Sequence, residues 1–509
     1  MDTTGSRSNE ELVETTASSL RWITAARVGV ELLLLGAMVL LARLIPPSAF
    51  GVFAVVIIIQ EIALSFPAEG IGSALVQRKD ITRRHLQGGL AVSLTAGAAL
   101  AAITLLLAAL VVRPVFGDET AMLVAVATPS FLLGAILAVP MALLRRNLDF
   151  RRLTVIDFTY TFLRSALAVV LAVGFGMDAS ALVLGGLLAV ALTLGLGLAL
   201  APIPLPRWRS AEIRELLPYG GPAALACVAW TGFRNGDYAI VGARLGTAQA
   251  GFYWRAFQLA VEYQRKISVV MSQIAFPVLA RTASADDLFA LRRRMVQLLT
   301  ASVFPLLVAL VILAPDIIPW VFGRRWEPAV LPTQILAGAG AATVVIDAVG
   351  SALMAAGRAK ALLGYGVAHF AVYVGAILVA SYFGLAAVAI ASVAVHAIFM
   401  VVAYEILLHD RPEHALRCLW VDVCPATIGC CALLVAAAPV EWLLLRSSVP
   451  AFVHVALVGP AGAAAYLAAL RLWFPTTFGD LVSLVRRILP ERVFDAAARR
   501  LLPARRAAA

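Results

Sequence analysis

The sequence predicts an all-α polytopic membrane protein of about 14 transmembrane helices, arranged as two pseudo-symmetric six-helix bundles followed by two C-terminal helices. Three observations predict this class. Apolar stretches long enough to cross a bilayer fill the chain, arginine collects at alternate gaps between them, and a short inter-helix segment recurs six helices later. Composition points the same way. The chain is 61% apolar with a mean hydropathy of +0.91, against roughly 45–50% apolar residues in soluble domains.

Taken in order, helices are expected over 24–45, 50–73, 88–112, 120–144, 154–175, 179–201, 217–244 and 250–279. Six more follow at 295–314, 328–356, 361–383, 385–408, 421–439 and 451–473. An even number returns both termini to one side. The expected division is a polar N-terminal segment (1–23), a first bundle (24–207), a second bundle (208–409), helices thirteen and fourteen (410–475) and a basic tail (476–509). The first 20 residues are polar, with Glu10, Glu11 and Glu14, and are not a removable signal peptide, because the first apolar helix is long and carries Arg27 and Glu31.

Basic residues gather in the termini and the even-numbered gaps, as in Arg78, Lys79, Arg83 and Arg84, then Arg145, Arg146, Arg151 and Arg152, then Arg292 to Arg294. The odd-numbered gaps hold Arg113, Arg244, Arg324, Arg325 and Arg446. The positive-inside rule places both termini in the cytoplasm. A net charge of +11 is then orientation signal and contact with anionic membrane lipids, and no nucleic acid is expected as a partner.

The repeat is short. Residues 42–53 (Ala-Arg-Leu-Ile-Pro-Pro-Ser-Ala-Phe-Gly-Val-Phe) align with 243–253 (Ala-Arg-Leu-Gly-Thr-Ala-Gln-Ala-Gly-Phe-Tyr) across a one-residue gap that superposes Gly51 on Gly251. With an even number of helices between them, the copies have the same orientation, related by an axis along the membrane normal, and a substrate path between the two bundles follows from that arrangement. Beyond helix fourteen, 478–502 alternates apolar residues (Leu481, Leu484, Val485, Ile488) with arginines and reads as helical pieces on the cytoplasmic leaflet, or as a disordered basic tail.

Polar residues at membrane depth cost roughly 2.5–3.5 kcal/mol each on insertion scales, so they face a cavity or a partner. Helix one has Arg27 and Glu31, helix two Glu61 and Glu69, helix five Asp157 and Arg164, helix seven Arg234, Asn235 and Asp237, and helix ten Asp347. Helix eight is richest, with Arg255, Glu262, Arg265 and Lys266, which regular helical spacing puts along one stripe. Arg27 with Glu31, and Glu262 with Lys266, are four apart and can pair on a helix face. Two readings stand for the basic groups: they bind an anionic substrate headgroup by bidentate hydrogen bonds, or they form buried ion pairs that fix packing. Arg234, Arg265 and Lys266 suit the first, Arg27 equally suits snorkelling, and Arg164 equally suits pairing with Asp157. Glu61, Asp237, Glu262 and Asp347 are candidates for ion coupling or for counter-ions to the arginines.

His369, His396 and His454 sit on apolar helices and read as packing residues. Cys227, Cys418, Cys424, Cys430 and Cys431 have no metal-motif spacing, so neither a metal nor a cofactor is expected. No catalytic motif and no soluble domain stands out, which argues against an enzyme.

Five segments together resemble the bacterial polysaccharide flippases of the multidrug/oligosaccharidyl-lipid/polysaccharide exporter superfamily. They are Leu41 to Phe53, Gly70 to Thr82, Leu143 to Arg152, Arg234 to Gly242 and Val321 to Val330, in order and at the spacing of that family. One departure is Gly236, where a larger apolar residue is more usual; a bend or close packing of helix seven is expected there. The resemblance implies a flippase of the bacterial inner membrane. It would carry a polyprenyl-pyrophosphate-linked oligosaccharide from the cytoplasmic to the periplasmic leaflet by alternating access, with a polysaccharide polymerase and co-polymerase as candidate partners. Arg234, Arg265 and Lys266, joined by Arg27 and Arg164, would hold the diphosphate or acidic sugars. The alternative within the same fold, a small-molecule or drug antiporter, suits cationic substrates and an acidic cavity. A membrane-embedded glycan polymerase would ordinarily present a large periplasmic loop, and a pure scaffold would leave the intramembrane charges without a role.

Overall fold

The computed structural model describes residues 29, 33–265, 268, 285–409, 414–445 and 450–488. Among these residues every regular element is helical. Among the described residues, eleven helices are long and apolar enough to cross a membrane. The other three expected spans are α1, of which Leu33–Leu44 is described, and two polar helices, α7 (Ser210–Leu245) and α8 (Thr247–Phe257, continuing through a π-turn at Gln258–Glu262). Polar side chains lower the apolarity of α7, and much of the span expected for α8 lies outside the described residues.

The chain divides into two compact units, 1–254 and 255–509. In the first, α2 (Pro47–Gln77) packs on α4 (Asp118–Arg146) and α4 on α6 (Ala179–Leu200), while α3 (Arg83–Phe116), α5 (Phe150–Phe175) and α7 complete the unit. Ile71, Leu75, Leu90, Val139 and Leu216 form a buried cluster where α2, α3, α4 and α7 meet. Glycines permit the closest crossings. A Cβ at Gly134 of α4 would overlap the Ala63 carbonyl of α2, so only glycine lets the backbones approach this far.

The second unit repeats that pattern internally. The π-turn of α8 packs on α10 (Val330–Ala355), and α10 packs on α12 (Leu385–Leu407), beside α9 (Ala285–Phe322) and α11 (Ala359–Ala380). Gly340 of α10 meets the Ala260 carbonyl of α8 as Gly134 meets Ala63. The two copies of the short repeat also touch each other, inside the first unit. A Cβ on Gly51 would overlap the carbonyl of Thr247, and one on Gly251 would overlap the carbonyl of Pro47. Each glycine thus faces the residue four positions before its own counterpart, the reciprocal contact expected of a local two-fold relation.

The last helices, α13 (Ala415–Leu445), α14 (Ala451–Trp473) and α15 (Pro475–Ile488), lie in the second unit. Leu313, Leu433, Val458, Tyr466 and Leu470 join α9, α13 and α14 in one apolar cluster, against which Phe478 and Leu481 of α15 pack. Arg294 Nε donates to Asp480 Oδ2 at 2.6 Å, tying α15 to the start of α9. The apolar face of the expected tail is therefore partly covered by protein, and its remainder, 489–509, lies outside the described residues. Helix α7 is unbroken at Gly236, where an added Cβ would meet nothing within 4 Å. The close packing expected there is absent.

Candidate functional site

Two polar clusters occupy the helices, one in each unit. In the first unit, Glu61 and Glu69 of α2 face Cys227, Thr231 and Asn235 of α7, residues spaced by four along one stripe of that helix. Asn235 Nδ2 donates to Glu61 Oε2 at 3.3 Å and to the Thr231 carbonyl at 2.9 Å. Arg234, the residue before Asn235, is half-buried. Asp237, two positions on and so about 200° around the helix, points elsewhere: it is buried and accepts the Tyr253 hydroxyl at 3.1 Å on Oδ2 and the Tyr238 N–H at 2.9 Å on Oδ1. Of the two acidic candidates here, Glu61 thus shares the Asn235 stripe, whereas Asp237 is enclosed by α7 and α8. Arg164 is half-buried, with its guanidinium 5.6 Å from the centre of the Phe53 ring.

In the second unit, the π-turn changes the expected stripe of α8. Arg255 is 0% exposed, with its guanidinium 5.0 Å from the Phe322 ring centre and 4.9 Å from that of Trp326. Glu262 closes the π-turn and Arg265 follows it; they remain 23% and 19% exposed, joined Oε1 to Nη1 at 3.2 Å. One extra residue in a turn rotates everything after it by about 100°. The regular spacing that put Arg255 on the same flank as Glu262 and Arg265 therefore does not hold, and Arg255 is a packing residue. Glu262 meets Arg265, three residues on, while its expected partner Lys266 lies outside the described residues, as do Arg27 and Glu31.

The field of Arg265 reaches His396 of α12. Around His396 is an aromatic group that the sequence reading did not single out. His369 stacks on Phe399 at 4.5 Å between centroids and meets His396 edge-on at 5.1 Å, with Tyr365 and Tyr373 within 6.2 Å of His369. Asp347 of α10 is half-buried and within electrostatic range of Tyr365. The signal was present in the sequence as the four-residue spacing of Tyr365, His369 and Tyr373 on α11. What spacing cannot give is the facing of His396 and Phe399 from another helix.

Chemically, each cluster combines a guanidinium of intermediate exposure with a carboxylate and neutral hydrogen-bonding or aromatic groups. Such a set can hold an anionic headgroup through the arginine, whereas the rings of Tyr365, His369, Tyr373 and Phe399 are buried against one another.

Comparison with known proteins bears on what this arrangement serves. The sequence profile of a family described as "Polysaccharide biosynthesis protein" matches residues 40–331. An uncharacterized membrane protein in the cps region of Klebsiella pneumoniae is 26% identical over 349 residues, 67% of this chain and 71% of that protein. The lipopolysaccharide biosynthesis protein WzxC of Escherichia coli (strain K12) is 26% identical over 376 residues, 72% of this chain and 75% of its own. Among solved structures, the lipid II flippase MurJ in an inward closed conformation superposes with a TM-score of 0.73 over 89% of this chain and 99% of its own, at 13% identity. At that identity the likeness is one of fold.

Proposed function

This chain belongs to the polysaccharide biosynthesis protein family of the multidrug/oligosaccharidyl-lipid/polysaccharide exporter superfamily, transporters rather than enzymes, and from that membership we propose that it is a flippase for a polyprenyl-pyrophosphate-linked oligosaccharide. In this reading the cargo moves from the cytoplasmic to the periplasmic leaflet of the inner membrane, for surface polysaccharide biosynthesis, and both termini are cytoplasmic. The two like-oriented bundles alternate between inward-open and outward-open states.

The observation that carries the reading is the accessibility of particular arginines. Arg255 is sealed between aromatic rings, whereas Arg164, Arg234 and Arg265 keep intermediate exposure at membrane depth. A guanidinium held there matches a diphosphate in geometry and charge, while the lipid tail stays in the bilayer. Arg265 has Glu262 as a partner, but a partly exposed pair can be opened by a more highly charged anion. The same arginines disfavour the drug antiporter, whose cationic cargo would be repelled.

The test is genetic and chemical. Deleting the gene should leave lipid-linked saccharides on the inner face of the inner membrane. Arg234→Ala and Arg265→Ala should each remain in the membrane yet lower export of the glycan by about 10- to 100-fold, the worth of a charge-assisted hydrogen bond. Normal surface polysaccharide in both variants at matched protein level would remove the assignment.

A further inference from the structure

At the ends of α9, α13 and α14, Asp316, Glu441 and His454 converge in a place that the transport reading does not use. Read from sequence, His454 is a packing residue, and the two carboxylates, on separate helices, attract no notice. In the structure His454 Nδ1 is 3.1 Å from Glu441 Oε1 and 3.2 Å from Asp316 Oδ2. The three atoms all lie within 4.8 Å of one another. His454 is buried and Glu441 is 8% exposed.

Hydrogen bonding accounts for part of this convergence, since Glu441 reaches both His454 and the Asp316 carboxyl, but it leaves two of the oxygens unused. One imidazole nitrogen has one hydrogen or one lone pair to direct, and Glu441 Oε1 takes that direction. The equally close Asp316 Oδ2 has no hydrogen-bond partner, and neither has Glu441 Oε2, although both are buried. Among the described residues, no lysine or arginine forms an ion pair with either carboxylate. Two ionised carboxylates facing a neutral imidazole, one buried and one, Asp316, 16% exposed, carry two negative charges in a medium that penalises even one.

A divalent cation meets each of these conditions. Two carboxylates neutralise it, the imidazole nitrogen supplies a lone pair, and the unsatisfied Glu441 Oε2 offers a further oxygen. Ligands about 2.0–2.1 Å from a tetrahedral zinc stand roughly 3.3 Å apart, close to the two nitrogen-to-oxygen separations here. One nitrogen with two carboxylate oxygens suits a borderline cation such as zinc, and three protein ligands leave one position open. We infer that Asp316, Glu441 and His454 form a site for one divalent transition-metal ion of the zinc class, tying α13 and α14 to α9. The opposite ends of α9 and α13 are already joined by Arg292 to Asp422, and Arg294 to Asp480 ties α9 to α15.

The full chain, without a histidine tag and purified in detergent, should retain about one zinc after loading and dialysis. Glu441→Gln and His454→Gln should retain less than about a tenth of that, given that loss of groups supporting a metal site already costs about 10- to 100-fold in affinity. EDTA should lower the melting temperature of the wild type and leave that of His454→Gln unchanged. If the variants do not fold, cobalt added to the wild type keeps the question open to refutation: a tetrahedral spectrum without a thiolate charge-transfer band supports the site, and its absence, or a thiolate band, overturns it. Wild-type protein that holds no stoichiometric zinc, or variants that hold it undiminished, would overturn the inference. So would a melting temperature that follows pH but ignores zinc and EDTA, which would assign the cluster to a shared proton.

Discussion

At the scale of single residues, burial separates the charged groups that hold this protein together from those that can meet a ligand. Arg292 Nη1 lies 2.5 Å from Asp422 Oδ2, which also accepts the Tyr404 hydroxyl at 2.7 Å. Removing one partner from such a buried pair costs about 3–5 kcal/mol. Outside the spans, Glu215 gives a test that depends on pH. Thr82 N–H donates to His85 Nδ1 at 3.1 Å, leaving the ring hydrogen on Nε2, which lies 2.9 Å from Glu215 Oε2; Arg78 pairs with the same oxygen. The His85 hydrogen bond first, and the Arg78 charge after it, hold the Glu215 carboxyl below its ordinary 4.5. A carboxyl whose folded value is depressed contributes stability that is present above its unfolded value and is lost as pH falls through the folded one. Wild type should therefore melt above Glu215→Gln at neutral pH, and the gap should close in acid below 4.5. A gap that is constant from neutral to acid would exclude this role.

At the scale of elements, most of the helices were legible because a bilayer imposes a length and an apolarity that a sequence displays directly. The exceptions are instructive. Helix α7 is as continuous as its neighbours, yet its stripe of Thr231, Asn235 and their neighbours lowers its apolarity, because that side faces Glu61 rather than lipid. In α8 the π-turn at Gln258–Glu262 defeats a reading based on regular spacing. No residue type in Gln-Leu-Ala-Val-Glu announces it, since widened turns are set by packing against neighbours. Glycines at crossings were half legible: alignment picked out Gly51 and Gly251, but not that each would sit on the other copy's backbone. Gly51→Ala should destabilise the protein by about 1–3 kcal/mol or prevent its accumulation, because the obstacle is backbone. Gly236→Ala, with open space around its Cβ, should be neutral or slightly stabilising, as alanine favours a helix by up to about 1 kcal/mol over glycine. Membrane levels and melting temperatures of the two variants, compared side by side, check this. Equal behaviour would contradict the crossing.

At the scale of the whole molecule, the alternation of arginine between gaps makes a statement about orientation that labelling can test. In a background with the native cysteines replaced by serine, Asp178→Cys between α5 and α6 should react with an impermeant maleimide in intact spheroplasts. Asn147→Cys, between α4 and α5, should react only after lysis. The reverse pattern would invert the proposed direction of transport. The sequence by itself determined the class of protein and the approximate position of the eleven apolar spans among the described residues, and it pointed to an internal repeat. These follow from hydropathy and charge along the chain, which are local and need no knowledge of neighbours. Only the tertiary structure decided how far each of the described intramembrane charges is enclosed. Whether an arginine is sealed, as Arg255 is by Phe322 and Trp326, or partly open, as Arg265 is, depends on side chains brought from distant helices. The same holds for Asp316, Glu441 and His454, which stand far apart in the chain and meet only through helix packing. The energy of a buried charge is set by the few atoms around it, and those atoms are chosen by the fold.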